Sequence, residues 1–241
     1  MKFTNTLTSN WENAIRGLRH PYESYDKSDS QFGLEETEFV TDGAEIVKRD
    51  FNLCEFVKLG PADIDLAQRM ISAGTPNDKF LRQIFVSVDI TAPLYWWKEA
   101  DTYKVATVAN STSTMHKLAS TPITLDCFET DDYNKKIEFP CDFNGDTIKY
   151  PISIENGVDN IISFCENLRQ KYLETKDIRY WKELIRWLPE GWLQTRTWTA
   201  NYSTLRGIYH WRKAHKLSEW HQFCDWIASL PYANELLLFD N

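Results

Sequence analysis

Arg186, Arg196, Arg206, Arg212 and Lys213 gather in the C-terminal third of the sequence, while most of its acidic excess lies earlier. A guanidinium presents a planar fork of donors that grips phosphate bidentately, so this cluster suits an anion, and Asn201 and Ser203 can add neutral hydrogen bonds. The same residues also fit a solvated helix face paired with Glu190, Glu219 and Asp225, and the pattern alone leaves both readings open. The five histidines (His20, His116, His210, His215, His221) offer no ligand set. The last three are five and six residues apart and so do not share a helical face. Five cysteines (Cys54, Cys127, Cys141, Cys165, Cys224) are widely spread without a CxxC pair, as reduced structural residues would be. No GxSxG, phosphate-loop or GxGxxG pattern occurs, which removes nucleophile-elbow and nucleoside-triphosphate chemistry.

The chain that must position these residues is 241 long, with 42% apolar and 26% charged residues, enough for a full core and too apolar for disorder. A formal charge of -8 argues against nonspecific nucleic-acid binding, so an anion must be held locally against the global field. No apolar run is long enough for a membrane helix and the N-terminus lacks the apolar core of a signal peptide, so a cytoplasmic, non-membrane protein is expected. Aromatic residues reach 14%, with ten tryptophans. They suit stacking on planar rings, and equally a bulky core and oligomer contacts.

Helical spacing of Trp11, Ala14, Ile15 and Leu18 predicts an amphipathic helix stopped at His20-Pro21. Residues 22–45 are polar and aperiodic and read as a long loop. A helix is predicted from Pro61 to Ala73, ended by Gly74, then a strand over Phe80 to Ile90 and a helix opened by Pro93. Thr107 to Thr114 reads as a turn. An inserted hairpin is expected over about 122–151, built from ITLDCF and DTIKY with an Asn144-Gly145 turn. Helices follow at Val158 to Glu174 and Tyr180 to Trp187, and Thr199 to Ile227 reads as one long helix with at most one break. The expected fold is a single α+β domain over 1–241, a mixed or antiparallel sheet flanked by long helices.

Two stretches carry a further signal. Gly74-Thr75-Pro76, Phe80 and FVSVDITAP (85–93) precede a helix, with ANSTSTMHKL (109–118) downstream; later, Leu188-Pro189 leads to TWTANYSTL and to Arg212, eleven residues past Asn201. In order and spacing these resemble the flavin-dependent thymidylate synthases, which methylate dUMP to dTMP using FAD, methylene-tetrahydrofolate and NADPH. The similar segments cover about 65–118 and 180–230. The resemblance implies that Asn201 matches a flavin-contacting asparagine, Arg212 a nucleotide-binding arginine and Ser113 the serine of the family's S-x-R-Y. Catalytic candidates are then Arg212 and Ser113; cofactor-binding candidates are Asn201, Lys104 and Asn110. Substrate-binding candidates are Arg186, Arg212, Ser113 and Lys98, with Trp96 or Trp97 stacking on a ring.

The departures are specific. Thr102-Tyr103-Lys104-Val105 stands where the family has Arg-His-Arg, Met115-His116 replaces Arg-Tyr, Lys98-Glu99 replaces Arg-Gln, and Asp89 replaces a frequent histidine. Losing one preorganised donor costs roughly a hundred- to a thousandfold in rate. Two expectations therefore stand side by side. One is a divergent enzyme that binds a pyrimidine nucleotide and FAD at a subunit interface of a homotetramer, with Arg212 and Asn201 converging across neighbouring chains. The other is an inactive nucleotide-sequestering or structural oligomeric module.

Overall fold

The computed structural model describes residues 1–38, 51–113, 118–131, 133–142 and 149–239. Strands β1 (Lys2–Ser9), β4 (Phe85–Pro93), β8 (Leu193–Asn201) and β5 (Val108–Ser111) form a sheet in the order β1-β4-β8-β5. Two antiparallel ladders stand apart from it: β2 (Gln31–Glu38) with β3 (Phe51–Lys58), and β6 (Glu138–Asp142) with β7 (Lys149–Ser153). Helices α1 (Trp11–Arg19), α2 (Pro61–Ser72), α3 (Leu94–Ala100), α4 (Ile154–Thr175), α5 (Ile178–Trp187), α6 (Tyr202–Arg212), α7 (Ser218–Ala228) and α8 (Ala233–Leu236) complete an α+β chain. Its contacts divide it into two compact units.

The larger unit comprises residues 2–90, 101–110 and 197–241. The period-2 pattern of β4 buries Val86, Val88 and Ile90, and the helical period of α1 buries Trp11, Ala14, Ile15 and Leu18. Trp11 meets Tyr202 edge-on at 5.1 Å. Asp63 anchors the segment before β2: buried in the first turn of α2, it accepts from Arg19 Nε (2.6 Å), Ser28 Oγ (2.8 Å) and Ser30 Oγ (2.6 Å). Burial pushes its carboxyl up, but the hydrogen bonds from Ser30, Ser28 and Arg19 outweigh that and leave it below the usual carboxylate range.

The smaller unit comprises Met1 and residues 91–100 and 111–196. Its core gathers Leu118, Ile123, Phe128, Cys165 and Leu184. Helices α4 and α5 pack against each other, each opened by a side-chain cap, Ser153 Oγ to Asn156 N (3.1 Å) and Asp177 Oδ1 to Arg179 N (2.9 Å).

Several sequence expectations are corrected. The segment 22–45, of which 39–45 lie outside the described residues, contains a 3₁₀ turn at Tyr25–Lys27 and the strand Gln31–Glu38, whose polar residues hide its strand character. The strand expected from Phe80 starts at Phe85, because Asn77–Gln83 is a 3₁₀ helix. ITLDCF holds a 3₁₀ turn at Leu125–Cys127 with a single bridge from Phe128 to Trp192. Val108–Ser111 is a strand, where the sequence pattern suggests a turn. The helical reading of 199–227 with one break is corrected only at its start, where 199–201 end β8; α6 and α7 follow, separated by residues 213–217. Asn144-Gly145 lies outside the described residues, as do Met115 and His116.

Candidate functional site

In the larger unit, Asn201 ends β8 and caps α6. A short amide side chain at an N-cap satisfies a helix donor, and here Asn201 Oδ1 accepts from Thr204 N at 2.9 Å while the residue is only 4% exposed. Its Nδ2 makes no hydrogen bond among the described residues, which leaves a donor for an acceptor-bearing ligand. Arg212 stands in the last turn of the same helix, where a cation is favoured by the helix dipole. Eleven residues of helix separate the two positions, or about 16 Å along the axis. One chain therefore sets them at opposite ends of α6 and does not bring them together.

Arg212 is half-buried in an aromatic frame. Its Nε donates to the Tyr103 hydroxyl at 2.7 Å, and its guanidinium carbon lies 4.5 Å from the Trp220 ring centroid and 5.4 Å from that of Tyr103. Trp220 is buried, and Tyr103 meets it edge-on at 6.0 Å. The segment carrying Tyr103 is itself held: Thr107 Oγ1 donates to the Tyr103 carbonyl (2.6 Å) and Thr204 Oγ1 to that of Val105 (3.3 Å). A guanidinium fixed by a hydrogen bond and two ring faces has lost its rotamer freedom before any ligand arrives, which suits it to an anion. Lys104 and Asn110 are exposed in the same unit.

The other candidates lie in the smaller unit. Ser113 lines a cavity of about 310 Å³ in which the hydroxyls of Thr91, Thr112 and Thr121 stand among the apolar surfaces of Leu118, Trp192 and Leu193, with Asp126 and without a lining cation. Lys98 Nζ is 2.6 Å from Glu190 Oε1, and Arg186 Nη1 pairs with Glu183, so both behave as exposed surface pairs of small energetic weight. The expectation that Trp96 or Trp97 stacks on a ligand is corrected. Both are 1% exposed: Trp97 Nε1 donates to the Gln194 carbonyl at 3.0 Å, and Arg196 covers its ring at 4.2 Å. Bulk makes both core residues, and the indole donor of Trp97 is satisfied there.

Sequence reasoning misses Tyr103 and Trp220 as partners of Arg212. The first stands 109 residues away, and no spacing rule joins them. Burial pushes the Cys165 and Cys224 thiols up, Cys224 to about 11, which suits inert packing. Among the described residues no group of His, Cys, Asp and Glu is arranged to hold a metal, and no helix is long and apolar enough to cross a membrane.

The architecture defines an α+β fold in which a strand delivers a capping asparagine to a helix that ends in a framed arginine. That fold is similar to a flavin-dependent thymidylate synthase, ThyX, from Helicobacter pylori, solved in complex with FAD and dUMP: TM-score 0.62, 15% identity, 98% of each chain covered. A second ThyX structure from that organism, also with FAD and dUMP, gives a TM-score of 0.61 at 15% identity, covering 98% of this chain and 97% of the other. No family model matches the sequence, and no curated protein sequence does.

Proposed function

We propose that this chain binds a pyrimidine nucleotide of the dUMP type, with FAD, in a site completed between chains of a homotetramer. The observation that carries the reading is the framed guanidinium of Arg212, on a fold similar to one that holds FAD and dUMP in its solved relatives. Arg212 takes the phosphate, and Ser113, in the smaller unit's own cavity, is a substrate residue by resemblance alone. Asn201 Nδ2 and the exposed ammonium of Lys104 fit the acceptors of a flavin and the charge of its diphosphate. Arg186 and Lys98 are already paired with Glu183 and Glu190 and take no part in holding the ligand. When bound, FAD supplies the redox step of reductive methylation, with NADPH and methylene-tetrahydrofolate as co-substrates by resemblance; the protein's part is to orient and to neutralise.

A second reading, nucleotide binding without turnover, is favoured by Thr102-Tyr103-Lys104, because one exposed lysine does not reproduce the forks of two arginines. The visible spectrum of freshly purified protein separates the two. Flavin absorbance bleached by NADPH supports the enzyme. Protein that stays colourless after incubation with FAD, yet is stabilised by dUMP, supports the binding module. Failure to bind either ligand removes both.

A further inference from the structure

We infer that Tyr103 is a positioning residue: it sets the orientation in which Arg212 meets the phosphate of the nucleotide, a role that rests on the nucleotide reading above. The Tyr103 hydroxyl accepts from Arg212 Nε at 2.7 Å, and because all five N–H groups of a guanidinium lie in one fixed plane, a bond to Nε sets the direction of the others. That bond, with the Trp220 face 4.5 Å away, restricts both the roll and the tilt of the fork. Trp220 is in turn fixed by an edge contact with Phe223 at 5.7 Å, so the frame is core-backed.

The tyrosine cannot drift from the arginine. Thr204, in the first turn of α6, clips the Val105 carbonyl, and Thr107 clips that of Tyr103, so the segment is tied to the helix that carries Arg212. The segment where the resemblance expects Arg-His-Arg thus supplies a phenol that orients one guanidinium, in place of a further fork. Bidentate recognition depends on angle as well as charge, so the consequence falls on the phosphate and not on the base.

The test is calorimetric titration of dUMP and of deoxyuridine into wild type, Tyr103→Phe, Arg212→Lys and the double variant, with melting temperatures alongside. Phenylalanine keeps the ring and removes the acceptor; lysine replaces the fixed Nε–H and the fork with a freely rotating ammonium, so the hydroxyl has no guanidinium left to orient. Tyr103→Phe is expected to weaken dUMP about tenfold, the low end for a hydrogen bond to a charged group, to leave deoxyuridine unchanged, to lower the melting temperature by only a few degrees, and to add nothing in the Arg212→Lys background. A Tyr103→Phe variant that binds dUMP like wild type, loses both ligands equally, or shows an undiminished loss in the Arg212→Lys background overturns the inference while leaving the nucleotide reading intact. A wild type that does not prefer dUMP to deoxyuridine overturns that reading, and this inference with it.

Discussion

Replacing Asp63 by asparagine keeps the shape of the side chain and removes its charge. The carboxylate is fully buried and Arg19 is 3% exposed. Oδ1 faces Arg19 Nε, while Oδ2 accepts from two hydroxyls and from the Asp29 and Ser30 amides, both at 3.2 Å. An asparagine must turn its NH₂ toward one of these donor sets, so a buried guanidinium loses its counter-charge and at least one donor loses its acceptor. Breaking a buried pair from one side costs about 3–5 kcal/mol. For a chain of this size, where 1 kcal/mol moves the midpoint roughly 2–4 °C, Asp63→Asn should melt about 10 °C below wild type. Urea denaturation at pH 7 measures the loss. Because the folded carboxyl is held below its ordinary value, the stability it contributes is present above that value and fades as the pH falls through the folded one. The gap between wild type and variant should therefore narrow in acid. Arg19→Met should cost less than Asp63→Asn, since Asp63 keeps its donors from Ser28, Asp29 and Ser30. A loss under about 1 kcal/mol for Asp63→Asn, or the reverse ranking, refutes the reasoning.

Two further perturbations test neighbouring parts of the framework. At Gly60 a Cβ would stand 2.1 Å from Asp29 Cγ and 2.5 Å from the Asp29 carbonyl, and Asp29 supplies the remote cap of α2 through Ala62 N (2.9 Å) and Asp63 N (3.1 Å). Gly60→Ala should therefore lower stability by about 2 kcal/mol or more, as overpacking with loss of a cap does, with the lost helicity visible by circular dichroism. Glu166 is held down to about 2, chiefly by Arg169 (2.7 and 2.6 Å), with Ile123 N and Gln170 helping and burial opposing. Its contribution is complete above the ordinary glutamate value and lost as the pH falls toward the folded value, so Glu166→Gln should flatten the acid limb of the stability profile there.

Where local physics dominates, the sequence is readable. The apolar stripe of α1, the proline at the start of α2 and the alternation of Val86, Val88 and Ile90 each follow from one element's own period and burial. Gln31–Glu38 reads as loop because its acidic residues lack alternation, although backbone pairing with Phe51–Lys58 orders it. Asn201 falls inside the predicted long helix, yet an asparagine ahead of an apolar helical run is a capping signal, and the strand before it is short of apolar alternation. At the site, Arg212 stands out by residue type and by resemblance. Its frame does not, since Tyr103 and Trp220 reach it only through tertiary structure, and the burial of Trp97 likewise depends on partners at Gln194 and Arg196.

Titration of dUMP into wild type and Arg212→Ala tests whether the guanidinium of residue 212 holds the phosphate of a pyrimidine nucleotide. Saturable binding by wild type is expected to fall at least about thirtyfold in the variant, the cost of removing one partner of a close charge pair. Equal affinity in the two proteins, or no binding by wild type, would mean that residue 212 does not hold a nucleotide phosphate.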